Sequence, residues 1–132
     1  MKILILAAHP DDEVLGMGGT IKKLSKGGNE IKIIFMSTGI LSRRKIESKV
    51  SKQVFTKDWM KKNENKIKSL RGDAKKAGKI LGVNEVEFMD FPDNEMDTVS
   101  TLMVTKSIEN SIKDFNPKVV YTTPQNDPNV DH

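Results

Sequence analysis

The stretch KILILAAHPDDEVLG, residues 2–16, decides the fold. Its first seven residues (2–8) form a continuous apolar run, as in a strand that is covered on both faces of a parallel sheet. The acidic turn HPDDE follows at once, and residues 13–28 then have helical spacing and end on two glycines. Gly18 and Gly19 are costly inside a helix, so they predict a helix that packs tightly against the first strand or lets a ligand approach.

The rest of the chain repeats this alternation of strands and helices. Strands are predicted at 30–38, 85–91 and 118–123, and helices at 64–81 and 98–115. Residues 40–63 are polar and Lys-rich, and we expect a helical or mobile excursion there, a candidate lid. Because parallel strands connected by helices cross over right-handed, we expect a Rossmann-like three-layer α/β/α fold. Its sheet would be mostly parallel, with the strand order 3-2-1-4.

The length and composition limit the class of protein. The 132 residues suit a single domain, 1–132, and the absence of cysteine excludes disulfides and thiolate metal ligands. No segment approaches the length of a transmembrane helix, and the short apolar start predicts a first strand of a cytoplasmic protein rather than a signal peptide. A doubly wound domain seldom ends on a loop just past a strand, so we expect this domain to be incomplete at its C-terminus.

The charge is unevenly distributed along the chain. Residues 43–79 hold 14 Lys or Arg against four Asp or Glu. A basic segment of this kind can bind nucleic acid or acidic lipid, although we favour the interpretation that it is a solvated Lys-rich helical face. Aromatic residues make up only 5% of the chain, which argues against single-stranded nucleic acid because stacking platforms are scarce.

The chain has only two histidines, and both follow predicted strands. His9 ends the first strand and His132 follows the fourth, and ligands of parallel α/β sheets bind at the carboxyl ends of strands. Pro10 favours an extended His9, while Asp11 and Asp12 lie where the helix dipole favours ionised carboxylates. Two imidazoles, one carboxylate and an open position form a catalytic zinc arrangement. Aspartate before a helix is also ordinary capping chemistry, so both interpretations stay open on these residues alone.

The segment AAHPDDEVLGMGGTI, residues 7–21, resembles the opening motif of the PIG-L/LmbE family of zinc-dependent N-deacetylases. These enzymes remove acetyl groups from N-acetylglucosamine-type sugars. Weaker matches follow in order: STG at 37–39, RGDAKKAGKILGV at 71–83, FPDNEMD at 91–97 and PNVDH at 128–132. The resemblance spans nearly the whole chain, but it covers only the N-terminal part of the family's domain.

The resemblance implies roles for individual residues. His9, Asp12 and His132 would bind zinc, and Asp11 would be the general base that takes a proton from the attacking water. The imidazoles and the carboxylate come from two separate motifs, so the site would form only if the first and fourth strands are neighbours.

Further positions carry weaker implications. Arg71 falls where relatives contact the sugar or phosphate of the substrate, although an ordinary surface arginine fits as well. Asp93 matches an acidic substrate contact or is a turn aspartate, and Asp131 would orient the ligands or be a solvated loop residue. Asn129 departs from the family, since many relatives have a histidine there. An amide can donate a hydrogen bond to an oxyanion but cannot act as a general acid, so Asp11 would carry the proton alone, first as base and then as acid.

The sequence therefore predicts a zinc-dependent hydrolase that removes acetyl from an N-acetylglucosamine-type sugar or glycolipid and releases acetate and a free amine. Iron and manganese stay open, because His/carboxylate sites accept several divalent ions. The alternatives are a metal-dependent hydrolase of another amide or of a phosphoester, and a non-catalytic module that binds an anionic ligand. We expect no nucleic-acid partner and no stable membrane insertion, and a homo-oligomer stays open.

Overall fold

A computed structural model of the chain describes residues 1–40 and 57–132. Its strands are β1 (Lys2–Ala7), β2 (Glu30–Ser37), β3 (Glu85–Phe91) and β4 (Val119–Tyr121). Its helices are α1 (Asp12–Lys26), α2 (Lys57–Lys62), α3 (Glu64–Leu81) and α4 (Thr101–Phe115), with a 3₁₀ turn at Met96–Thr98. Of the lid candidate at 40–63, residues 41–56 lie outside the described residues, and the described part contains α2.

The four strands form one parallel sheet in the order β3-β2-β1-β4, which confirms the predicted topology. β1 pairs with β2 along its whole length, but it pairs with β4 only over Ile3–Ile5. β4 is shorter than the predicted strand at 118–123, because beyond Tyr121 the chain turns away and Thr123 donates its hydroxyl to the carbonyl of His132. The adjacency of β1 and β4 brings their two following loops to the same edge of the sheet.

Side chains from the two faces of the sheet enter two separate cores, which confirms the three-layer architecture. The core under α1 and α3 contains Ile3, Ile5, Ala7, Ile21, Ile31, Ile33, Phe35 and Ala74. The core under α4 contains Leu4, Ile34, Met36 and Phe115. The flanking helices are amphipathic, and within residues 1–40 and 57–132 none combines the length and the apolar character needed to cross a membrane.

Two local predictions differ from the structure. Close packing at the glycines of α1 is wrong: a Cβ added at Gly18 would meet only Val14, at 3.9 Å, and one at Gly19 would meet nothing within 4 Å. The helix predicted at 98–115 begins only at Thr101, because the chain first forms the 3₁₀ turn at Met96–Thr98. That turn is held in place because the backbone N–H of Met96 donates to Asp131 Oδ1 at 3.1 Å.

Candidate metal centre

The first half of the site is the loop between β1 and α1. Ser37 of β2 anchors this loop, because its N–H and its hydroxyl donate to the carbonyl of Ala8 at 3.0 and 2.8 Å. The carbonyl of His9 accepts the N–H groups of Asp11 and Asp12, which makes a tight turn. In return, Oδ2 of Asp12 accepts the backbone N–H of His9 at 2.8 Å. The acidic turn thereby holds the Asp12 carboxylate beside the His9 ring.

The second half of the site is the loop that follows β4. The backbone of His132 is held at both ends: its N–H donates to the carbonyl of Asn129 at 3.1 Å, and its carbonyl accepts the hydroxyl of Thr123 at 2.8 Å. Because β4 lies beside β1, the His132 ring comes within 5.3 Å of the His9 ring, centroid to centroid. The two imidazoles therefore converge as the strand order predicts.

Three donor atoms face one another at the centre of the site. His9 Nδ1, His132 Nε2 and Asp12 Oδ2 form a triangle in which each pair of atoms is 3.4 Å apart. Ligands about 2.0–2.1 Å from a tetrahedral zinc ion are separated by roughly 3.3–3.4 Å, so the triangle has the size that zinc requires. Within the described part of the chain these three residues form a group that could hold a metal ion. Imidazole and carboxylate donors suit zinc and also other divalent transition metals.

Each histidine also has a carboxylate at the ring nitrogen that points away from the triangle. Asp131 Oδ2 lies 2.7 Å from His9 Nε2, and Asp127 Oδ2 lies 3.0 Å from His132 Nδ1. The Asp131 side chain is fully buried and also accepts two backbone N–H groups of the loop between β3 and α4. Carboxylates in this position fix the tautomer and the orientation of metal-binding histidines. Asp127 was not predicted from the sequence. The available signal was an acidic residue five positions before His132 in the same loop.

The electrostatics of the centre favour a cation. Hydrogen bonds to Asp12 and Asp131 raise the pKa of His9 to about 10, in spite of burial. Burial raises the pKa values of both carboxyls, but hydrogen bonds from His9 and from backbone N–H groups hold them below their ordinary value. The protonated ring of His9 thus lies between two carboxylates, with Nδ1 facing Asp12 and Nε2 facing Asp131. A metal ion bound to Nδ1 has to replace the proton on that nitrogen, which makes metal binding dependent on pH.

A pocket of about 240 Å³ opens in front of the triangle, and Asp11 and Asn129 line it with Pro10, Gly39 and Asn94. Asp11 is exposed, and its side chain makes no capping hydrogen bond to α1, so the capping interpretation does not account for it. The side-chain oxygen of Asn129 accepts the backbone N–H of Asp131 at 2.9 Å. This bond assigns the orientation of the Asn129 amide and leaves its NH₂ group as the donor.

Arg71 and Asp93 belong neither to the triangle nor to the lining of the pocket in front of it. The guanidinium of Arg71 pairs with Asp90 and stacks over the Phe88 ring, 5.1 Å from its centroid, at the edge of β3. Asp93 is fully buried, and its carboxylate accepts the hydroxyl of Thr38 at 2.7 Å. Their substrate contacts therefore stay predictions.

The turn contains one further perturbed acid, Glu13, that the sequence analysis did not single out. Only 3% of Glu13 is exposed, and its Oε2 makes no hydrogen bond within the described part of the chain. Burial raises the pKa of Glu13 to about 7. The Glu13 side chain lines a cleft between α1 and the end of β4, and it does not line the pocket in front of the triangle. Glu13 does not belong to the group of residues that could hold the ion.

The sequence matches the model of the PIG-L family, described as GlcNAc-PI de-N-acetylase, over residues 4–132. The chain belongs to the PIG-L family. This confirms the resemblance carried by the HPDDE turn. Among PIG-L relatives, the diacetylchitobiose deacetylase of Thermococcus kodakarensis is 29% identical over 119 residues, which are 90% of this chain and 39% of that protein.

Solved structures with similar chains have the same fold. The N,N′-diacetylchitobiose deacetylase of Pyrococcus horikoshii superposes with a TM-score of 0.77 at 25% identity, over 99% of this chain and 45% of that one. The 4-carboxy-2-hydroxymuconate hydratase of Pseudomonas putida KT2440 gives 0.72 at 23% identity, over 99% of this chain and 50% of that one, a likeness that shows the fold alone. The chain thus spans half or less of the length of these relatives.

Proposed function

We propose that this PIG-L chain carries the metal centre of an N-deacetylase that removes the acetyl group from an N-acetylglucosamine-type amino sugar, free or within a glycolipid. Two of the relatives above are deacetylases of a diacetylated chitobiose, which supports the reaction class. The observation that carries the proposal for this chain is the triangle of donor atoms 3.4 Å apart, in a pocket that Asp11 also lines.

The metal that we propose is zinc. His9 Nδ1, His132 Nε2 and Asp12 Oδ2 would hold it and leave a fourth position open to water. When bound, zinc lowers the pKa of a water ligand toward about 7 and polarises a carbonyl group.

The chain's own residues would handle the protons and the developing charge. Asp11, exposed in the pocket and not engaged in capping, would take a proton from the attacking water. The NH₂ group of Asn129 would donate a hydrogen bond to the oxygen of the tetrahedral intermediate. Because an amide cannot release a proton, Asp11 would return its proton to the leaving nitrogen as the C–N bond breaks. The products would be acetate and a free amine, while Asp131 keeps His9 oriented.

Substrate recognition would draw on Arg71 and Asp93. Arg71 would have to leave its ion pair with Asp90, and Asp93 would have to exchange the Thr38 hydroxyl for a substrate hydroxyl. A cytoplasmic location also belongs to this proposal, and fractionation of the source cells tests it.

The first experiment measures metal content and deacetylation on the same preparations. The wild-type chain, His132→Ala and the exposed control Asp73→Asn are purified without chelator, and released amine is measured with N,N′-diacetylchitobiose. We expect about one zinc per wild-type and control chain, none in His132→Ala, and amine only where zinc is bound.

Other results would point elsewhere. The absence of metal from every preparation would contradict the proposal. Zinc without amine, but with cleavage of a phosphodiester, would support the alternative hydrolase. Zinc without turnover on any substrate would support a non-catalytic binding module.

A further inference from the structure

We propose that Asp127 is the positioning residue of His132. It holds the ring with the Nδ1 proton turned outward, so that Nε2 faces the triangle without a proton. The inference rests on the proposed function in one respect, namely that His132 is a metal ligand.

The loop at 124–132 binds Asp127 and His132 to the same stretch of backbone. The N–H of Asp127 donates to the carbonyl of Pro124 at 3.2 Å, and its Oδ1 accepts the N–H of Asn129 at 2.9 Å. The carbonyl of Asn129 in turn accepts the N–H of His132. These bonds place the second carboxylate oxygen, Oδ2, 3.0 Å from His132 Nδ1.

The Nδ1 atom of His132 needs such a partner. It is shielded from solvent and makes no aligned hydrogen bond within the described part of the chain. Buried ring nitrogens are rarely left unpaired, and a small rotation of the ring would align Nδ1 with the Asp127 carboxylate. A neutral imidazole has one proton; if Nε2 held it, that proton would point at the other two donors and block ligation. The carboxylate at Nδ1 therefore determines whether His132 can act as a ligand.

The two histidines use opposite nitrogens, each with its own carboxylate. His9 presents Nδ1 to the triangle and Nε2 to Asp131, whereas His132 presents Nε2 to the triangle and Nδ1 to Asp127. A change at Asp127 is thus expected to act directly on His132 and to leave the bond between His9 Nε2 and Asp131 unchanged. The chain contains no other histidine, so the spectra of the two rings can be read separately.

The test compares Asp127→Ala, Asp127→Asn and the exposed control Asp73→Ala. Imidazole ¹⁵N spectra of the metal-free chain are recorded at about pH 8.5, two pH units above the ordinary imidazole pKa of about 6.5, and His132→Ala assigns the two rings. Zinc affinity is measured by competition with a chromophoric chelator. We expect the proton of His132 to shift from Nδ1 toward Nε2 in Asp127→Ala, with no change at His9 Nε2, which Asp131 holds, and zinc affinity to fall about 10–100-fold. Asp127→Asn retains an acceptor oxygen and is expected to recover most of both properties.

An unchanged His132 spectrum in Asp127→Ala would overturn the inference, even if zinc affinity fell, because the loss would then come from the loop. Unchanged zinc affinity would overturn it as well. If Asp127→Ala failed to fold, as judged by circular dichroism, Asp127→Ser would be judged by the same criteria, because its hydroxyl can still accept the N–H of Asn129 but offers no second oxygen to His132. Failure of the wild-type chain to bind zinc would contradict the proposed function, while the ring spectrum would still decide which nitrogen Asp127 controls.

Discussion

Replacing Asp131 with asparagine separates the buried support of the site from the metal ligands themselves. The fully buried carboxylate accepts His9 Nε2 at 2.7 Å, the N–H of Met96 at 3.1 Å and the N–H of Asn94. In Asp131→Asn an NH₂ group replaces one oxygen. The arrangement that loses least keeps the oxygen on His9 and Asn94, so the NH₂ group faces the N–H of Met96. Two buried donors are then unpaired, at a cost of about 1–3 kcal/mol each, and the bond to His9 loses its charge assistance.

We therefore expect Asp131→Asn to lower the free energy of unfolding by about 3–5 kcal/mol. Urea unfolding in the presence of chelator measures this loss, with Asp73→Asn as a control that is expected to change it by less than about 0.5 kcal/mol. Zinc affinity of the folded fraction should fall about 10–100-fold, because His9 loses its partner. A loss of stability below about 1 kcal/mol would refute the argument from burial and pairing. Lost stability with unchanged zinc affinity would show that Asp131 supports only the loop.

Three further predictions concern the HPDDE turn at residues 9–13 and Gly39, which lies close to it. Asp11→Asn should retain zinc affinity within about twofold but lose at least about 100-fold in turnover; retained turnover would exclude Asp11 as the base. Gly39→Ala should destabilise the chain by about 2–4 kcal/mol in urea unfolding, because Gly39 has φ +73° and its added Cβ would lie 2.6 Å from Pro10 Cδ; a neutral result would contradict this close approach. The melting temperature of the metal-free chain should fall as pH rises from about 4.5 to about 10, since the fold raises the pKa of Glu13 from 4.5 to about 7 and that of His9 from 6.5 to about 10. Glu13→Gln should remove the lower part of that fall, and an unchanged melting profile would contradict the effect of burial on this carboxyl.

The strand order and the meeting of the histidines could be predicted because both follow from local patterns and one topological rule. Each of the first three strands is followed by a helix, and the carboxyl ends of neighbouring parallel strands share an edge. That rule brings His9 and His132 together although 123 residues separate them. No pattern inside either motif indicates which ring nitrogen faces the centre, so the triangle itself had to come from the structure.

The support around the ligands was less accessible to sequence reasoning, because it depends on how two loops fold back. The bond from Asp131 to His9 joins residues 122 apart, and Asp127 reaches His132 only through the turn that Asn129 closes. Local propensity also placed the start of α4 too early, since a tertiary bond to Met96 stabilises a 3₁₀ turn there instead. In each case a contact distant in sequence fixes a conformation that the local residues leave undetermined.

The proposed metal ligands and the proposed substrate contacts are held by different interactions in this molecule. The three proposed ligands lie in the loop after β1, at the first residue of α1 and in the loop after β4, and their donor atoms are 3.4 Å apart. The groups proposed for substrate, in contrast, are engaged elsewhere: Arg71 with Asp90, and Asp93 with Thr38. Zinc affinity should therefore survive replacement of the half-buried Arg71 in Arg71→Ala within about twofold, while any KM for an amino sugar should rise. A parallel loss of zinc would mean that Arg71 and the metal centre are coupled, although Arg71 pairs with Asp90 and does not line the pocket in front of the triangle.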